Sequence, residues 1–207
     1  MGKKEIKVEV ITPAYISGLG RGKNYGYSAL MYWPKKIDDS EEKSNDNSTV
    51  QLFRQGAFNV LSTGDVEDPN IGKTFLGKIM NNELDVLIIP HHGSEQGCVD
   101  KNFLEKTQPH CVICSSNYDN KFDHPAENLR KLLSDLKIPL MTTKNGDIII
   151  KSLYPHDGEY EVINLKANSE EVLSRKKLVA KKKTLLQMNK DTLRNRMKKK
   201  PFRGPNK

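Results

Sequence analysis

Apolar residues fall in short runs along this chain, and the period of the runs changes from segment to segment. In residues 5–12, Ile6, Val8, Val10 and Ile11 nearly alternate before Pro13, the spacing of a half-buried strand. Residues 28–33 predict a second strand, and residues 50–53 and 57–61 predict two more, joined by a turn at Arg54–Gly56. Residues 71–80 switch to helical spacing, with Ile71, Phe75, Leu76 and Ile79 on one face. Residues 85–90, DVLIIP, carry a continuous apolar run, as expected of a strand covered on both faces. A short helix is predicted over 102–107, a second buried strand over 111–115 and an amphipathic helix over 127–136. Residues 139–143 and 147–153 predict a hairpin closed by Lys144-Asn145-Gly146, and 160–165 one more strand. Strands mixed with helices in this way predict a layered α/β domain over residues 1–165.

Polar segments punctuate that pattern. ISGLGRGKNYGYS, with Gly18, Gly20, Gly22 and Gly26, lacks the Lys-Ser/Thr of a Walker loop and predicts a plain loop. DDSEEKSNDNS, residues 38–48, has no apolar side chain and predicts a mobile surface loop. After Asn168, an N-cap candidate with Glu171 three residues on, the chain predicts one long basic helix. Val172, Val179, Leu186 and Leu193 recur every seven residues there, but Arg175, Lys182 and Asn189 interrupt any coiled-coil seam.

Charge divides at the same place. Residues 166–207 hold 15 Lys/Arg against 3 Asp/Glu, a net of +12. That leaves 19 basic and 23 acidic residues in 1–165, a net of −4 within the overall +8. Only the 166–207 tail, then, predicts an acidic partner, and nucleic acid bound through residues 175–207 is the expectation. Its near lack of aromatics (Phe202 alone) favours backbone contacts over base stacking. Cys98, Cys111 and Cys114 are too few for a disulfide framework, no apolar run approaches a membrane span, and the N-terminus lacks a signal-peptide core. A cytoplasmic protein without membrane contact is expected.

Residues 86–94, VLIIPHHGS, place two of the five histidines side by side at a buried strand end. Asp65 follows the strand predicted at 57–61, His91 and His92 follow 85–90, and Asn117, Asn120, Asp123 and His124 follow 111–115. Open α/β sheets generally hold their sites at such strand ends. Imidazole and carboxylate suit Zn, Mn or Fe. Singly these are ordinary signals, since Gly-Asp is commonly a turn and His-Pro a helix start. Together they predict one shared site.

In order and spacing, NDNSTVQL, VLSTGD, DVLIIPHHGS, QPHCVICSS, NYDNKFDHP and TTKNGDI resemble the C-terminal half of a metallo-β-lactamase-fold hydrolase. The closest kind is the one attached to ComEC competence proteins. The resemblance spans roughly residues 5–152 and implies half of an αββα sandwich followed by a basic helical tail. It implies that Asp65, His92 and His124 hold a divalent metal, Zn or Mn, with Asp65 in the bridging position of dinuclear members. It further implies that His91 or His92 is a ligand or a proton donor to the leaving group, as in the related tRNA 3′-processing nucleases. Ser94, Asn117 and Asn120 would meet substrate.

One departure is large. Such enzymes carry HxHxDH in their N-terminal half, and no histidine precedes His91 in this sequence. The expectation is therefore part of a metal-dependent phosphodiesterase or nuclease, with a second protein supplying HxHxDH. The alternatives are a non-catalytic subunit of that fold, or a nucleic-acid-binding protein acting through its tail. A lone layer also predicts poor cover for Leu87, Ile89, Val112 and Ile149.

Overall fold

The computed structural model describes residues 27–33, 44–77, 79, 83–119 and 121–199. The strand predicted over 5–12, most of the glycine-rich loop and Asn120 lie outside the described residues.

Among the described residues, six strands form one sheet in chain order: β1 (Tyr27–Trp33), β2 (Val50–Gln55), β3 (Phe58–Ser62), β4 (Val86–Ile88), β5 (Cys111–Cys114) and β6 (Leu140–Thr142). The β1–β2 and β2–β3 pairs are antiparallel, and β3, β4, β5 and β6 run parallel. Three antiparallel strands, β7 (Ile148–Ser152), β8 (Glu159–Leu165) and β9 (Val172–Val179), form a second sheet. The helices are α1 (Pro69–Leu76), α2 (Lys101–Thr107), α3 (Glu127–Asp135) and α4 (Lys181–Lys199). The architecture is mixed α/β. No helix among the described residues is long and apolar enough to cross a membrane.

Alternation along the parallel strands explains both cores. Leu61, Leu87, Val112 and Cys114 pack with Ile71, Phe75, Phe103, Leu104, Leu129 and Leu133 of the helices. Phe58, Val60, Val86, Cys111 and Ile113 face the other way, against Tyr160 and Val162 of β8. Both faces are covered, so the strands read as continuous apolar runs. The expectation of uncovered inner faces is corrected accordingly. Leu87 and Val112 are 0% exposed and Ile89 5%, because α1–α3 cover one side and the chain's own second sheet the other; only Ile149 stays open, at 42%.

Helices α1 and α2 start where carboxylates cap them. Asp68 accepts from the Asn70 N–H at 2.8 Å and Asp100 from the Phe103 N–H at 2.7 Å, satisfying N–H groups that the helix leaves unpaired.

Three further expectations are corrected. Residues 139–143 and 147–153 do not pair: β6 joins β5 in parallel and β7 opens the second sheet. The Asn145-Gly146 step is a crossover between sheets. Gly146 has φ 136°, and a Cβ there would stand 2.0 Å from the Leu165 carbonyl oxygen, so glycine is required for the close approach. Residues 45–47 are a 3₁₀ turn and not loose loop, held because Asp46 Oδ1 accepts the Glu67 and Asp68 N–H groups at 2.9 Å each. Finally, the basic segment is not one helix from Asn168. Residues Val172–Val179 form an edge strand on β8, with Arg175 3.8 Å from Glu161, and the helix begins at Lys181. With Val172 and Val179 in a strand, the seven-residue stripe does not exist as a helical face.

Candidate metal centre

At the C-terminal ends of β3, β4 and β5 the chain gathers Asp65, Glu67, His91, His92 and His124. The turn that presents the doublet is strained. His91 (φ 46°), His92 (φ 54°) and Gly93 (φ 78°) are successive left-handed residues. For each of the two histidines that conformation costs roughly 1–2 kcal/mol. It persists because neighbouring groups hold it at every step. The His91 N–H donates to Gly64 O at 3.0 Å, the Ser94 N–H to His91 O at 2.8 Å and the Ala126 N–H to Gly93 O at 2.8 Å. Cys114 Sγ contacts His92 O at 2.9 Å. At Gly93 a Cβ would stand 2.7 Å from Pro125 Cβ, so the loop before α3 fits only against glycine. Strained backbone held this firmly is what functional sites carry.

The two histidines of the doublet point to different partners. His92 donates from Nδ1 to the Ser115 carbonyl at 2.6 Å, which leaves Nε2 as the lone-pair nitrogen. That nitrogen lies 3.8 Å from Asp65 Oδ1, both side chains about half exposed. The gap is too long for a hydrogen bond, yet two metal bonds of ~2.1 Å span up to ~4.2 Å. A ring anchored through one nitrogen on a carbonyl, with the other facing a carboxylate, has the orientation of a metal-ligating histidine. His91 turns instead to Glu67, with Nδ1 2.8 Å from Oε1, and Asn45 donates to the same oxygen at 2.8 Å.

His124 completes the rim. Its ring lies 6.1 Å from that of His91 and stacks on Phe122 at 5.6 Å. Partial burial lowers its pKa, and the proximity of His91, His92 and Lys144 pushes the same way, against Asp123. Lys144 Nζ in turn lies 3.7 Å from Asp123. Asn117 is exposed just after β5. Ser94 accepts from the Gln96 N–H at 3.2 Å and lines a pocket of about 200 Å³ with Pro90, Glu95, Asn128 and Leu132.

The donors make a facing pair with flanking groups, not a closed sphere. Among the described residues no three His, Cys, Asp or Glu side chains converge closely enough to hold a metal ion. The Asp65–His92 pair fits two coordination positions, and a zinc-type site needs four. The residues present therefore do not by themselves complete a metal site. Sequence reasoning passed over Glu67, which its two-residue spacing from Asp65 could have flagged, and Lys144, whose partner is distant in sequence.

No protein-family profile matches the chain. Over 135 residues it is 30% identical to ComE operon protein 3 of Bacillus subtilis (strain 168), covering 64% of this chain and 17% of that protein. The chain is similar to a competence-protein segment. A second match, 32% identical over 110 residues, is to Competence protein ComA of Neisseria gonorrhoeae and covers 53% of this chain and 15% of that one. The chain thus spans less than a fifth of either relative's length. Among solved structures, a flavo di-iron protein from Thermotoga maritima aligns at a TM-score of 0.39 with 13% identity, covering 84% of this chain and 40% of that one.

Proposed function

We propose that this chain supplies one half of a metal-dependent hydrolase cleft of the phosphodiesterase or nuclease type. The observation that carries the reading is the Asp65–His92 pair, with His92 locked through Nδ1 onto the Ser115 carbonyl. Asp65 and His92 would hold the divalent ion, with His124 at the rim, and the ion would polarise a phosphoryl oxygen and activate water. His91, held by Glu67, and Lys144 would face the substrate's negative charge. The remaining donors come from a second polypeptide carrying HxHxDH. Nucleic acid is the substrate class that fits best, approached through the exposed Arg175, Lys176 and Lys177 of β9.

Two donors bring roughly half the ~10–16 kcal/mol of a four-ligand zinc site, so Kd for the chain alone lies between about 1 µM and about 0.2 mM. Calorimetric titration with Zn²⁺ or Mn²⁺ checks this. Asp65→Ala and His92→Ala are each expected to abolish the heat of binding. Metal binding that survives both substitutions unchanged would remove the half-site.

A further inference from the structure

The segment that carries His124 from β5 to α3 exposes two aromatic rings beside the candidate metal centre. Tyr118 is 74% exposed and Phe122 77%. Phe122 is the informative one. Its ring lies 5.6 Å from that of His124 at an interplanar angle of 20°, and the His124 ring in turn lies 6.1 Å from that of His91. One face of the phenyl ring is thus taken by a site histidine, and the other is open to water. The bend that sets this up is at Asp123, a left-handed residue at φ 50°. Its carboxylate lies 3.6 Å from Arg130 of α3 and 3.7 Å from Lys144. Neither packing nor charge accounts for an exposed ring in this place. A phenyl ring left mostly in water forgoes the burial that normally fixes it. Exposed Asp119, Lys121 and Asp123 flank Phe122, so the two rings form no continuous apolar patch of the kind that marks a protein interface. The charges nearby also balance, with Lys121, Arg130 and Lys144 matched by Asp119, Asp123 and Glu127. A flat, neutral ligand with a π face is what such a ring accepts. In nucleic acid that ligand is a base released from pairing, because a duplex keeps its base faces stacked on one another.

We propose that Phe122 is a stacking platform for an unpaired base of the substrate, with Tyr118 flanking it, so that the cleft takes single-stranded nucleic acid in preference to duplex. The inference rests on nucleic acid being the substrate class proposed above. A base laid on the open face of Phe122 extends the succession His91, His124, Phe122 by one ring and is held one ring beyond the rim histidine. The exposed cations of β9 add phosphate affinity without regard to the bases, and Phe122 adds the requirement that a base be free.

Phe122→Trp tests this in the full chain, because an indole at that position loses fluorescence when a base stacks on it. The probes are a short single strand of mixed sequence, an abasic strand of the same length, and the first strand annealed into a duplex. The native chain, whose one tryptophan is Trp33, is the control. Saturable quenching is expected with the single strand, and not with the abasic strand, the duplex or the native chain. Fluorescence anisotropy supplies a second readout at about 200 mM salt, where phosphate contacts weaken. There the native chain is expected to hold the base-bearing strand roughly 5- to 150-fold more tightly than the abasic one, the range for one stacked base. Phe122→Leu should remove that preference. A single strand that binds without quenching, or a preference that survives Phe122→Leu, overturns the proposal, leaves the nucleic-acid reading standing and assigns the ring to a protein partner. Binding of neither strand overturns both.

Discussion

Asp65→Ala in the assembled cleft is expected to cut phosphodiester hydrolysis by about a thousandfold, or ~4 kcal/mol of transition-state stabilisation. The chemistry needs both members of the facing pair, and Asp65 is one of them. Stability should barely change. Its side chain is about half exposed at the end of β3, and substitutions of that kind usually stay within ±0.5 kcal/mol. Thermal melts beside initial rates separate the two effects. A melt lowered in step with the rate would make Asp65 a structural residue.

The second large effect concerns salt. Deleting residues 187–207 removes eight Lys/Arg and one Asp, while leaving β9 and the Asp85–Lys181 contact intact. A cut at residue 175 would instead take half of β9 away and confuse binding with folding. If each of the eight cations meets one phosphate, the full chain loses roughly 10³- to 10⁵-fold in affinity between 50 and 200 mM salt, with a log–log slope near −7. The truncated chain should show a much flatter slope in filter binding. Equal slopes would assign the tail to a protein partner.

How far the fold could be read ahead of its coordinates depended on how local each signal was. The strands β2, β4 and β5, and helices α1–α3, announced themselves through apolar runs and periodicity within ten residues. Strand β9 did not. VLSRKKLV reads as part of a basic helix until β8 is beside it, with Glu161 opposite Lys177 and Ile163 opposite Arg175. The Asn145-Gly146 signal was real as a bend and misleading as a hairpin, because the strands around it belong to different sheets. At the site, the histidine doublet and Asp65 were visible as strand-end polar residues. What could not be seen was how the doublet divides: one ring goes to a carbonyl from β5's end and the other to Glu67, both choices made by left-handed backbone. Asp85 was legible only as the first letter of an apolar run, since its partner Lys181 lies 96 residues away.

The direct measurement is hydrolysis of a phosphodiester with Mn²⁺ or Zn²⁺ by the purified full chain, alone and after addition of a polypeptide carrying HxHxDH. No metal-dependent turnover is expected alone; turnover should appear on mixing and disappear with His92→Ala. Full activity by the chain alone, with metal held through gel filtration, would contradict the half-cleft reading.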